Sequence, residues 1–317
     1  MYSSVRLFME KLIDYAGMFP PAGLPIDAAI RNYYAYSHDQ DSWMLGKFVI
    51  PVSRLPEVIP YLPLFTPDHP LRLSVIGQRS SDEESCIRLL ADSLQALERF
   101  KEQVQGAAQV EGFELPLPPI PLSPALLQAI GRGTGPLGLH TFCELTYGLN
   151  KDWESRMLAG LDEITALKAA GGMSLGLKLR TGGLSAEDFP TALQVAFVIA
   201  ACRDRHLPLK FTAGLHHPVR MYRSEVQTHM HGFVNVFAAG LLAHSHQLDF
   251  KRIAEILADE QASSFQFSSE GLHWKQFSMT SSEIAAYRDE ALCSFGSCSF
   301  DEPREEMRAV QLLAQRR

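Results

Sequence analysis

Gly176-Leu-Lys-Leu-Arg-Thr-Gly-Gly183 and Leu209-Lys-Phe-Thr-Ala-Gly-Leu-His-His217 each set a lysine in a short apolar run, with a glycine four residues on. Lys178 and Lys210 lie 32 positions apart, the length of a strand plus a returning helix, so in a parallel α/β fold they occupy neighbouring strands. A buried ammonium loses its hydration, and two of them together repel each other, so such a pair points to chemistry rather than scaffold.

Working outward, the same kind of run recurs along the chain. The others are Leu12-Ile-Asp-Tyr-Ala-Gly17, Lys47-Phe-Val-Ile-Pro-Val-Ser53, Leu71-Arg-Leu-Ser-Val-Ile-Gly77, Gln109-Val-Glu-Gly-Phe-Glu-Leu115, Thr141-Phe-Cys-Glu-Leu-Thr-Tyr147 and Gly232-Phe-Val-Asn-Val-Phe237. With Leu175–Arg180 and Leu209–Ala213 they make eight expected strands, whose starts are spaced about one strand-helix unit apart. Between them Asp82–Phe100, Glu154–Ala170 and Ala186–Cys202 have apolar residues at helical spacing, the second stopping at Gly171-Gly172. This alternation predicts an α/β fold, a (β/α)8 TIM barrel, with an open doubly wound sheet as the rival. Residues 1–317 then form a single barrel domain, with a helix over Ser4–Lys11 and a C-terminal extension over residues 265–317 packed on it.

Composition narrows the class. A chain of 317 residues, 46% hydrophobic and 21% charged, has the profile of a globular protein. The net charge of −7 offers no electrostatic reason for binding nucleic acid or an anionic membrane. Arg6, Glu10 and Lys11 interrupt the first apolar stretch, and no apolar run reaches membrane-spanning length, so a cytoplasmic location is expected. Cys86, Cys143, Cys202, Cys293 and Cys298 are odd in number and lack metal-ligand spacing, which fits reduced thiols. A small-molecule substrate is the expected partner, without nucleic acid or membrane, and association into a homo-oligomer is left open.

In a barrel, catalytic groups gather where the strands end. Glu114 and Glu144 on strands four and five then face Lys178 and Arg180 on six and Lys210 and Thr212 on seven, which keeps buried charges paired. Asp14 on strand one and Asn235 on strand eight complete the polar set. Neighbouring cations disfavour a protonated lysine, so this cluster could supply the neutral amine that attacks a carbonyl. The competing readings are a structural network in which the lysines pair with Glu114 and Glu144, or lysines that face out between helices.

The two lysine segments resemble the motifs of the deoxyribose-phosphate aldolases and related class I aldolase barrels. The resemblance implies that Lys178 forms the Schiff base and Lys210 lowers its pKa, with Gly182, Gly183 and Gly214 as turn glycines near a phosphate site. It covers about 40 residues, and this chain departs from the pattern in two places. Its third strand carries no acid, so Glu114 or Glu144 must move the proton, and His216-His217-Pro218 is an added histidine pair.

The function expected from these residues is a lyase forming a lysine Schiff base with a small carbonyl compound, phosphorylated or not. Lys178, Lys210, Glu144 and Glu114 are its catalytic candidates. Arg180, Thr181, Gly182, Gly183, Thr212, Gly214, His216, His217, Asn235 and Asp14 are the substrate-binding candidates. No cofactor and no metal ligand is assigned. The alternatives are a metal-dependent hydrolase or isomerase using Glu114, Glu144 and His216 or His217, and a non-catalytic barrel that binds an anion. Six of the eleven histidines lie between His216 and His246, but none has HxH or HExxH spacing where an expected strand ends. Ser297 and Cys298 receive no role.

Overall fold

The computed structural model describes residues 2–171 and 173–313, so of the expected helix stop at Gly171-Gly172 only Gly171 is among the described residues. The chain opens with α1 (Ser3–Met9), β1 (Ile13–Tyr15), α2 (Ile26–Ser37), β2 (Leu45–Pro51) and β3 (Leu71–Ile76). It continues through α3 (Glu83–Val104), β4 (Ala108–Leu117), α4 (Pro124–Thr134), β5 (His140–Leu145), α5 (Trp153–Gly171) and β6 (Leu175–Arg180). Then come α6 (Ala192–Asp204), β7 (Leu209–Thr212), β8 (Met221–Arg223), β9 (Thr228–Met230), α7 (Phe233–His246) and α8 (Phe250–Ala258). The last elements are β10 (Phe265–Phe267), β11 (Gly271–Trp274), β12 (Phe277–Thr280), α9 (Ser281–Glu290), β13 (Leu292–Ser297) and α10 (Asp301–Ala309). Eight strands in the order β1, β13, β7, β6, β5, β4, β3, β2 close into a barrel, the fold class expected from the alternating runs.

The chain divides into two compact units, Asp14–Lys178 and Met1–Ile13 with Leu179–Arg317. In the first, β2 to β6 pair in parallel, with Phe48 opposite Leu73, Ile76 opposite Glu114, and Glu144 opposite Lys178. Phe48, Leu73, Val75, Phe113, Leu115 and Leu177 are buried between sheet and helices, the continuous apolar character of strands covered on both faces. Helix α3 starts where the Asp82 carboxylate accepts from the Ser85 amide. After β2 the chain makes 3-10 turns over Val52–Leu64, because Pro56, Pro60 and Pro63 lack the donors an α-helix needs.

In the second unit β13 runs parallel to β7, with Phe295 opposite Phe211 and Gly296 opposite Thr212. The Phe295 amide donates to the Leu12 carbonyl. Helix α1 packs on α9, where the Arg288 guanidinium donates to the Phe8 and Glu10 carbonyls. One expectation is overturned here. Gly232–Phe237 is not the eighth strand: from Phe233 the chain is α7, whose residues Phe233 to Ala243 are all buried. A segment apolar on every side has neither a strand period nor a helix period, and its length exceeds that of a strand. The first amides of α7 are taken by the loop after β7, Phe233 donating to the His217 carbonyl and Val234 to the Pro218 carbonyl. The eighth barrel strand is Leu292–Ser297, inside the stretch expected to be an extension.

No helix among the described residues is long and apolar enough to cross a membrane. No disulfide joins any of the five cysteines.

Candidate functional site

Three of the expected residues meet in the unit Asp14–Lys178. Glu144 and Lys178 are register partners on β5 and β6, and Glu114 lies two residues before Pro116, the partner of Glu144 on β4. Lys178 Nζ lies 2.6 Å from Glu114 Oε2 and 2.8 Å from Glu144 Oε2. All three side chains are at most 4% exposed. Burial by itself would drive the Lys178 pKa down. The charges and hydrogen bonds of Glu114 and Glu144 overcome that and raise it.

Two residues that the sequence did not single out complete the centre. Ser74 Oγ on β3 donates to Glu114 Oε1 at 2.6 Å, and the Arg79 guanidinium reaches Glu144 Oε1 at 3.3 Å from a largely exposed position. Glu111, the residue skipped where the β3–β4 register shifts, forms a two-bonded pair with Arg72 at 2.6 and 2.8 Å.

Asp14, fully buried on β1, accepts from the Lys47 amide at 2.6 Å, and the Lys47 ammonium is 3.9 Å away. Arg180 is exposed at the end of β6, and Lys210 is buried within β7. Thr181 donates from its amide to the Thr212 carbonyl at 2.9 Å, and from Oγ1 to the Ala213 carbonyl at 2.6 Å.

Gly182 and Gly214 let two backbones touch. A Cβ on Gly182 would lie 2.5 Å from the Phe189 ring and 2.9 Å from the Gly214 Cα, and Gly214 has a φ of +73°. The Asp188 carboxylate fills the space beside Gly183 and accepts from the Leu184 and Ser185 amides at 3.0 Å.

Asn235, expected at a strand end, is instead on α7 and committed to backbone. Its Oδ1 accepts from the Arg220 amide at 2.8 Å, while Nδ2 donates to the Ile256 and Asp259 carbonyls at 2.9 and 2.7 Å. His231 is likewise buried, with Nε2 2.7 Å from the Pro190 carbonyl oxygen.

The histidine pair has a different setting. His216 and His217 follow β7 and meet α10, which follows β13. His216 Nδ1 is 3.1 Å from Glu302 Oε2, and His217 Nδ1 is 2.9 and 2.7 Å from the two oxygens of Glu306. His217 is buried, and His216 also hydrogen-bonds Cys298. Burial works against a charged His216, but the hydrogen bonds and charges of Cys298 and Glu302 prevail and lift its pKa to about 9. The hydrogen bond from His216 in turn holds Glu302 below the usual carboxylate range. Nothing in the spacing of Glu302 and Glu306 names a histidine partner.

No protein-family model matches the chain, and no curated protein matches it. A solved structure described as Yersinia pestis DHPS with a pterine-sulfa conjugate is similar over 96% of this chain and 94% of that one, at 12% identity and a TM-score of 0.42. That likeness carries no argument about site or chemistry, and the barrel rests on the strand order.

Proposed function

We propose that the chain is a lyase acting on a small carbonyl compound, with Lys178 as the imine-forming nucleophile and Glu114 and Glu144 as its proton acceptors and donors. The observation that supports this is the placement of a buried Nζ within hydrogen-bond distance of two buried carboxylates. Imine chemistry needs more than an amine. The ammonium must shed a proton before attack, the carbinolamine hydroxyl must gain one to leave as water, and the substrate hydroxyl must lose one as the carbon–carbon bond breaks. A carboxylate 2.6 or 2.8 Å from Nζ is in reach of each transfer. In the resting state the raised pKa keeps Lys178 charged, so proton transfer to one of the glutamates precedes attack.

Borohydride reduction in the presence of glycolaldehyde or dihydroxyacetone, followed by peptide mapping, tests the reading. An adduct on Lys178 that disappears in Lys178→Arg supports it. Absence of any adduct, or one that persists in the variant, sinks it. The rival reading is a purely structural ion cluster, favoured by the same upward shift of the Lys178 pKa. Under that reading the carbonyl probes leave Lys178 unmodified while its replacement still destabilises the fold.

A further inference from the structure

We propose that His217, Glu302 and Glu306 form a binding site for a first-row divalent transition-metal ion such as Zn²⁺. The three residues come from the C-terminal ends of two paired strands: His217 from the loop after β7, and both glutamates from α10, which follows β13. Glu302 and Glu306 are four residues apart, so the helix presents both carboxylates on one face. One nitrogen and two carboxylate oxygens of the trio all lie within 4.8 Å of one another. In a tetrahedral site with bonds of roughly 2.1 Å the ligand atoms are about 3.4 Å apart, so small side-chain movements enclose an ion.

Charge points the same way. Glu302 and Glu306 bring two carboxylates to adjacent turns of one helix, a charge that one divalent cation is suited to balance. The donor set selects among cations: an imidazole nitrogen favours zinc and its neighbours over magnesium or calcium. His216 at 3.1 Å from Glu302 Oε2 is placed to orient that ligating carboxylate, the supporting role such neighbours usually have. Three protein ligands leave a coordination position open. The proposal goes beyond the Lys178 reading and shares no residue with it, so either can fail alone.

The test is equilibrium dialysis of the untagged, chelator-stripped full chain against ZnCl2, read by elemental mass spectrometry. The expected result is one ion per chain, with affinity falling by roughly 100-fold or more in His217→Ala and in Glu306→Gln, and by roughly 10-fold or more in His216→Ala. Glu306 is partly exposed, so Glu306→Gln retains the fold, and circular dichroism checks each variant. Less than about a tenth of an ion per chain overturns the site. So does a stoichiometric ion whose affinity is the same in a folded Glu302→Gln/Glu306→Gln protein, because the ion then sits on other histidines and the two histidine–glutamate pairs only fasten α10.

Discussion

Glu144 and Lys178 stand opposite each other in the register of β5 and β6, and their charged atoms lie 2.8 Å apart in the protein interior. Neither could be buried alone. With Glu114 2.6 Å from the same nitrogen, the ammonium recovers in hydrogen bonds the hydration it lost.

Lys178→Met is therefore expected to cost about 3–5 kcal/mol, because two carboxylates are left buried without their shared cation. Adding Glu114→Gln and Glu144→Gln should restore more than half of that loss, since the neutral amides need no counter-charge and the amide oxygen at position 114 can still accept from Ser74. Urea midpoints of the single and triple variants check this. A single variant as stable as the parent would mean that water already reaches the site.

Asn235→Asp removes the two donors that serve the Ile256 and Asp259 carbonyls and sets a carboxylate against them. The expected loss is about 2–5 kcal/mol, read as a lower melting temperature, with borohydride trapping of the folded protein unchanged. Weakened trapping in a fully folded variant would return Asn235 to the substrate-binding set.

Acid should unfold the protein partly through His231. Burial foremost, aided by the Arg220 charge and opposed by the Pro190 hydrogen bond, lowers its pKa from 6.5 to about 4. The unfolded chain takes up the proton first, so this stability is fully present above about pH 6.5 and is lost as pH falls towards 4. Its size is on the order of 3 kcal/mol. His231→Gln keeps a nitrogen donor for the Pro190 carbonyl but cannot titrate, so its stability should fall less between pH 6.5 and 4. His244, whose pKa is also lowered to about 4 by burial and Arg203, leaves a residual slope. Parallel denaturation curves of parent and variant across that range would contradict the assignment.

Some elements were plain in the residues. Leu71–Ile76, Leu175–Arg180 and Leu209–Thr212 are short runs with an apolar residue at every second position, separated by helical stretches, the pattern of strands in an α/β fold. The last strand was hidden because Leu292-Cys-Ser-Phe-Gly-Ser297 is built largely of small residues, while Phe233–Ala243 has the aromatic and β-branched start of a strand. Length was the available signal, since a buried run this long suits a helix better than a strand. Misplacing that strand put Glu302 and Glu306 in a supposed extension, away from His216 and His217. Ser74 and Arg79 were missed because a serine inside an apolar strand and an exposed arginine carry no local mark of what they bond.

By itself the sequence favoured the barrel class over an open sheet and called for carboxylates beside any buried Lys178, because hydrophobic period and the cost of a buried charge are properties of residues in order. Only the tertiary structure decided that Glu114 and Glu144 both hold that lysine, that Asn235 serves backbone, and that His217 meets Glu302 and Glu306. Each of those contacts joins groups from different elements, brought within about 3 to 5 Å by strand register and loop path, which no local pattern encodes.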